Sequence, residues 1–210
     1  MIRRGILLLS PLLALGLATP RTAEANLLSN GGFEDTTTSG FTDWIITGNG
    51  VAADMFFPNT GTTDAAFTDP NGTQPLSTLS QTVATTAGIS YTLSFSLLDE
   101  SGLSTDSFTI AFGGFSDTLT GDEAAPPANN PYFYTSFSLA IPGNTVTGSA
   151  TTLTFTGSVN PINGTAWNLD DVALVAAVPV PMPEAPAWAV LSVGIVALFM
   201  MPGRRRRTSQ

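Results

Sequence analysis

Between Asn26 and about Val178 large apolar side chains return at every second residue, and that period decides what the chain can become. Tyr91, Leu93, Phe95 and Leu97 alternate with Thr92, Ser94 and Ser96. Phe108, Ile110 and Phe112 repeat the pattern, as do Phe133, Thr135, Phe137, Leu139 and Ile141, and Leu153 with Phe155. Successive side chains of a strand point to opposite faces, so each run has one face to bury and one to wet. Turn formers separate the runs: Pro58-Asn59-Thr60-Gly61, Pro70-Asn71-Gly72, Ala87-Gly88, Pro142-Gly143-Asn144 and Asn163-Gly164. No amphipathic helical pattern occurs in this region. One-sided sheets bury their apolar faces against each other, which predicts an all-β antiparallel sandwich over residues 26–178. Gly113 to Pro131, with Asp122-Glu123, Pro126-Pro127 and Asn129-Asn130, reads as a long exposed loop. Asp54 to Thr78 is loop-rich, with one short strand at Ala65-Ala66-Phe67. Long loops at the rim of a sandwich are common places for binding.

The charges are segregated. The seven basic residues are Arg3, Arg4, Arg21 and Arg204 to Arg207, and the chain has no His. The 16 acidic side chains, apart from Glu24 and Glu184, all lie between Asn26 and Val178. A cation-free, acidic domain repels phosphate backbones, which excludes nucleic acid as a partner and disfavours anionic lipid heads. Divalent cations and uncharged or cationic polymers remain open, as does a role in solubility alone. Without Cys or His there is no Ser-His-Asp triad, no thiol nucleophile and no zinc site of imidazole or thiolate. A domain of roughly 150 residues can bury enough surface without disulfides.

Both ends address a membrane. Met1-Ile2-Arg3-Arg4, an apolar stretch from Ile6 to Ala18, and Ala23-Glu24-Ala25 are the charged region, core and small-residue cleavage site of a signal peptide over 1–25, cut after Ala25 by signal peptidase. At the other end, a Pro-rich spacer (179–186) leads into an apolar segment (187–203) and an Arg-rich tail (204–210). The segment is shorter than the roughly 20 residues that span a bilayer comfortably, but it can insert by local thinning and snorkelling. Arginines at both tips stay in the cytoplasm, so the acidic domain lies beyond the inner membrane.

Pro183-Glu184 ahead of the apolar segment, with Arg204, Arg205, Arg206 and Arg207 behind it, resembles the PEP-CTERM sorting signal; the departure is Ala185, with the second Pro displaced to Pro186. The resemblance implies export in a Gram-negative, exopolysaccharide-producing bacterium. It also implies processing by an exosortase and delivery from an inner-membrane intermediate to the cell surface or matrix. The alternative is an ordinary single-pass anchor.

The domain carries a second resemblance. Asn26-Leu27-Leu28-Ser29-Asn30-Gly31-Gly32-Phe33-Glu34 with Trp44, Leu79-Ser80-Gln81-Thr82-Val83 with Tyr91 to Phe95, and Trp167-Asn168-Leu169-Asp170-Asp171-Val172 are similar to the opening, middle and closing strands of carbohydrate-binding-module-like jelly rolls. That family implies a structural calcium ion tying first strand to last, with Glu34 and Asp170 at the matching positions. The residues alone leave the matter open. If Val172 and Leu174 point into the core, simple alternation sends Asp170 there too. A buried carboxylate needs a metal ion, a set of backbone N–H donors, or a proton.

Glycan binding uses aromatic faces. Phe56, Phe57, Trp44, Tyr132 and Tyr134 are the candidates, with Trp44 and Trp167 better suited to a core. Tyr132 and Tyr134, on one strand face after the acidic loop, are the chosen ligand-binding pair. Catalysis is not expected. Glycosidases need two carboxyls roughly 5 to 10 Å apart, whereas Glu34-Asp35, Asp99-Glu100, Asp122-Glu123 and Asp170-Asp171 are adjacent in sequence, and strand neighbours face opposite ways. The expectation is an exported, exosortase-sorted envelope or matrix protein, structural or glycan-binding in a polysaccharide setting. The alternatives are a passive surface protein without a specific ligand and, third, a glycoside hydrolase.

Overall fold

The computed structural model describes residues 25–68, 77–159 and 166–177. Ala23 of the cleavage site, the spacer, the apolar C-terminal segment and the sorting motif (Pro183, Glu184, Arg204 to Arg207) lie outside the described residues. Among the described residues no helix is long and apolar enough to cross a membrane.

The described residues form twelve strands in order: β1 (Thr36–Thr37), β2 (Gly40–Phe41), β3 (Ile45–Thr47), β4 (Val51–Asp54), β5 (Asp64–Phe67), β6 (Thr78–Ala84), β7 (Tyr91–Asp99), β8 (Ser107–Phe112), β9 (Phe115–Thr120), β10 (Thr135–Ile141), β11 (Ala150–Ser158) and β12 (Trp167–Ala176). β1 and β2 form a small ribbon. The others make two five-stranded sheets in the orders β10-β7-β12-β5-β4 and β3-β6-β11-β8-β9. Every pairing is antiparallel. This is the two-sheet sandwich that the alternation demands. Leu93, Phe95 and Leu97 of β7 face Phe108, Ile110 and Phe112 of β8 and Leu153 and Phe155 of β11 across one buried core. Edge-to-face packing of Phe67 on Phe108 at 5.1 Å and Phe95 on Phe155 at 5.9 Å fills its centre. Trp44 and Trp167 belong to that core, with their indole N–H groups donating to Asn30 O and Ser158 O.

Two departures from the alternation matter. The stretch expected to be a long loop from Gly113 contains β9, which pairs along β8 from Phe112↔Phe115 to Ser107↔Thr120. Gly113 and Gly114 make its two-residue turn, Gly113 at φ +60°. A Gly-Gly turn suits a hairpin because a left-handed residue there matches the strand twist. As an edge strand, β9 carries Ser116, Asp117 and Thr118, which hid the pattern.

The second departure is a bulge in β12. Its register against β7 shifts between Asp170 and Ala173, and Asp171 sits at φ +54°. One extra residue reverses the alternation. Trp167 and Leu169 face the core before the bulge, and Val172 and Leu174 face it afterwards. Asp170 therefore shares the opposite face with Asn168, correcting the inference that it points inward with Val172. That outer face of the first sheet is nevertheless closed to solvent, where Asp64, Ala66, Ser96, Leu98, Asn168 and Asp170 are all buried.

Candidate glycan-binding site

What covers this outer face is the connection between β4 and β5 (residues 55–63) and the segment between β9 and β10. The first is tied down by carboxylates at both of its shoulders. Asp170 Oδ2 accepts the amides of Asn59 at 3.0 Å and Thr60 at 2.9 Å, and its Oδ1 accepts the Asp171 amide at 2.7 Å. Asp171, turned outward by the bulge, accepts the Asn59 side-chain amide at 2.6 Å and the Thr60 hydroxyl. Asn59 Nδ2 also reaches Ser96 Oγ at 3.2 Å. On the other shoulder, Glu34 accepts the Thr62 amide at 2.9 Å, the Thr62 hydroxyl at 2.7 Å and the Thr63 amide at 3.1 Å. The Thr62 hydroxyl, with the Thr62 and Thr63 amides, holds the Glu34 carboxyl below its ordinary value. Burial pushes Asp170 up to about 6, although the amides of Thr60, Asp171 and Asn59 pull it back.

Backbone N–H donors, one of the three partners open to Asp170, reach it from Asn59, Thr60 and Asp171. The calcium expectation at Glu34 and Asp170 meets the same donors. A hard cation needs oxygen ligands and is repelled by N–H groups. Arranged this way, the two residues do not fit calcium, and among the described residues no group of three or more His, Cys, Asp or Glu could hold a metal.

The covering loops bring a set of rings to the surface, with Phe56 and Tyr132 exposed and Phe57 half-buried. Phe57 and Tyr132 stack with centroids 4.8 Å apart and planes 16° from parallel. Phe56 lies 6.3 Å from Phe57 and is 83% exposed, while Tyr132 is 60% exposed; Phe133 and Met55 are exposed beside them. Asp54 accepts the Phe56 amide at 2.9 Å, setting the turn that projects both phenylalanines. Exposed aromatic side chains in one patch are unusual for a surface that does nothing. The stack joins two loops distant in sequence and is worth about 0.5–1.5 kcal/mol beyond its buried area.

Tyr134 does not belong to this patch. It is only 5% exposed, and its hydroxyl donates to Asp64 Oδ2. The expected Tyr132–Tyr134 pair is thus split, because β10 begins at Thr135 and the two tyrosines lie in the preceding segment, one ring out and one in. Trp44 is buried as well. Asp64 was not anticipated. A carboxylate heading the apolar run Asp64-Ala65-Ala66-Phe67, in a domain without cations, was the available signal. Asp64 is fully buried with Oδ1 unpartnered, and burial, with Asp54 and Asp170 nearby, pushes it up to about 7.

A third group of carboxylates sits away from the patch. Asp99 and Asp106, both buried, share the Ser101 hydroxyl, which is 3.1 Å from either Asp99 oxygen and also contacts Asp106 Oδ2. Burial pushes Asp99 up to about 6, with Asp106 adding to the rise. Asp99 ends β7, and Ser101 and Asp106 belong to the connection leading into β8, so this pair forms across a tight turn.

No protein-family model matches the chain, and no curated protein does. Solved structures do. The carbohydrate-binding module TmCBM61, determined in complex with β-1,4-galactotriose, aligns at TM-score 0.51 and 18% identity, over 73% of this chain and 99% of its own. A family 16 carbohydrate-binding module aligns at TM-score 0.51 and 16% identity, over 71% of this chain and 99% of its own. An arabinose-bound GH51 α-L-arabinofuranosidase aligns at TM-score 0.55 and 15% identity, over 76% of this chain but only 28% of that enzyme. At these identities the likeness concerns the fold: the β-sandwich of this chain is built like those of carbohydrate-binding modules.

Proposed function

We propose that the domain is a non-catalytic glycan-binding module of an exported protein, and that Phe57, Tyr132 and Phe56 form its sugar-facing platform. The stack of the exposed Tyr132 on the half-buried Phe57 carries this reading. Sugar rings present flat patches of C–H that pack on aromatic faces, and amphipathic rings such as Tyr supply contact area at low entropic cost. The sandwich fold shared with carbohydrate-binding modules supports the same direction. The flanking signal-like N-terminus and the Pro183-Glu184/Arg204 to Arg207 pattern support export through signal peptidase and an exosortase, to a surface or matrix rich in polysaccharide.

The purified protein is tested by affinity electrophoresis in gels cast with neutral β-glycans, galactan and xylan among them. Retardation that disappears in a Phe57→Ala/Tyr132→Ala double variant of unchanged melting temperature is the expected result. Normal folding without binding to any polymer would favour a passive surface protein. For the sorting signal, the intact mass of the envelope-associated protein should show loss of everything after about Met182; a retained tail would mean a plain anchor.

A further inference from the structure

Among the described residues the two large sheets end in four edge strands, and three of these are guarded against pairing. β3 has three residues and β4 has four, and β4 closes on Asp54. β9 carries Asp117 and runs into Asp122 and Glu123. Short length and charge are the usual means of keeping a sheet edge from adding another strand. The fourth edge, β10, has neither. It reads Thr135-Ser136-Phe137-Ser138-Leu139-Ala140-Ile141, seven residues without a charge, a proline or a break in register against β7. Among the described residues β7 is its one neighbour in the sheet. The far side of β10 therefore presents the N–H and C=O groups of alternate residues. We propose that β10 is a self-association edge: two copies of this chain pair through it, antiparallel, about a two-fold axis at Ser138, and join their first sheets into one. Nothing in this depends on what Phe57 and Tyr132 bind.

Charge singles out this edge for a second copy. Two acidic, cation-free domains repel each other, so copies can meet only where carboxylates are remote. From Ala124 to Leu169 the sequence has no charged residue, and β10 lies within that stretch. The strand is also complementary to itself. Ser138 is its middle residue, so an axis there lets all seven residues pair. On the core-facing side Phe137 stands opposite the partner's Leu139, and Thr135 opposite the partner's Ile141. On the other side Ser138 meets the partner's Ser138, and Ser136 the partner's Ala140. Apolar side chains thus meet apolar ones, and small ones meet small ones. Phe137 and Leu139 supply the driving force. Both are only partly buried on the core, although Phe137 stacks on Phe95 at 5.4 Å and 18°. A strand added beyond β10 covers the flank they leave open. A two-fold contact of this kind uses the same patch on both copies and closes at two. One strand pair is a small contact, so association belongs at roughly tens of micromolar.

The chain has no cysteine, which makes Ser138→Cys a direct test. Ser138 is exposed, and in this register it meets its own counterpart. Mild oxidation of the full-length Ser138→Cys chain at about 50 µM should convert most of it to a disulfide-linked dimer. Ser116→Cys, exposed on the guarded edge β9, should stay monomeric under the same conditions. In sedimentation equilibrium the unmodified protein should pass from monomer to dimer between about 5 and about 500 µM. Ser138→Lys, with unchanged melting temperature, should weaken that association about fivefold, because like charges then lie directly opposite each other. An equal mixture of Ser138→Lys and Ser138→Asp should restore it. Linking of Ser138→Cys no better than that of Ser116→Cys overturns the inference, as does a protein that stays monomeric throughout. A Ser138→Lys variant that dimerises like wild type, or a mixture that recovers nothing, would place the contact elsewhere and overturn it too.

Discussion

The Glu34 carboxylate fills the space where Gly61 would carry a side chain: a Cβ on Gly61 would lie 2.1 Å from Glu34 Oε1. Gly61 also sits at φ +67°, where L side chains are strained. The close approach lets the amides of Thr62 and Thr63 converge on one carboxylate from the N-terminal segment. An acidic clamp thereby stands in for the ionic ties that a domain without cations cannot make. Gly61→Ala should destabilise the domain by about 1–3 kcal/mol in urea unfolding and should loosen the Phe56–Phe57 turn. An unchanged transition midpoint would show that the clamp contributes nothing.

Stability should rise as the solution becomes mildly acidic. Asp64 is raised to about 7 and Asp99 and Asp170 to about 6 from an ordinary 3.8. Each binds its proton more tightly when folded, so its contribution is complete below about pH 4 and drains away as pH climbs through the folded values. Glu34, lowered instead, has the opposite sign and loses its contribution as pH falls through its folded value. The melting temperature should therefore fall between about pH 4.5 and about pH 7.5, then level off. A rise over that interval would contradict the burial of these acids.

Ser101 should prove a stabilising residue despite its size. Its single hydroxyl proton serves two buried carboxyls, Asp99 and Asp106. Ser101→Ala should cost about 1–3 kcal/mol, and more at pH 8 than at pH 5 because Asp99 is then charged. Chemical denaturation at the two pH values measures this; equal small losses would mean that the hydroxyl is not shared.

Calcium should have little effect on melting. The amides of Asn59, Thr60, Thr62 and Thr63 occupy the carboxylates of Asp170 and Glu34, so adding millimolar calcium or a chelator should leave the melting temperature unchanged. A marked rise with calcium, lost in Asp170→Ala, would mean that the loop can turn carbonyl oxygens toward an ion.

Read along the chain, the residues determined that this would be a two-sheet β protein. Period-two runs such as Tyr91 to Leu97 allow no other way to bury one face, and the confinement of arginine to the tips left an acidic, cation-free domain. The short strand at Ala65-Ala66-Phe67 and the exposed Phe56 and Tyr132 were legible for the same reason, since local pattern carries them. Only the tertiary structure decided the rest. Alternation tells which side chains share a face, not what covers that face, so Tyr134 could be paired with Tyr132 on paper and yet be buried on Asp64. Nor does it register a bulge: one left-handed residue, Asp171, turned Asp170 from the core to the outer face and brought it to the amides of a loop more than a hundred residues away. Those partners are set by sheet order, and sheet order comes from packing between distant strands, which no local window contains.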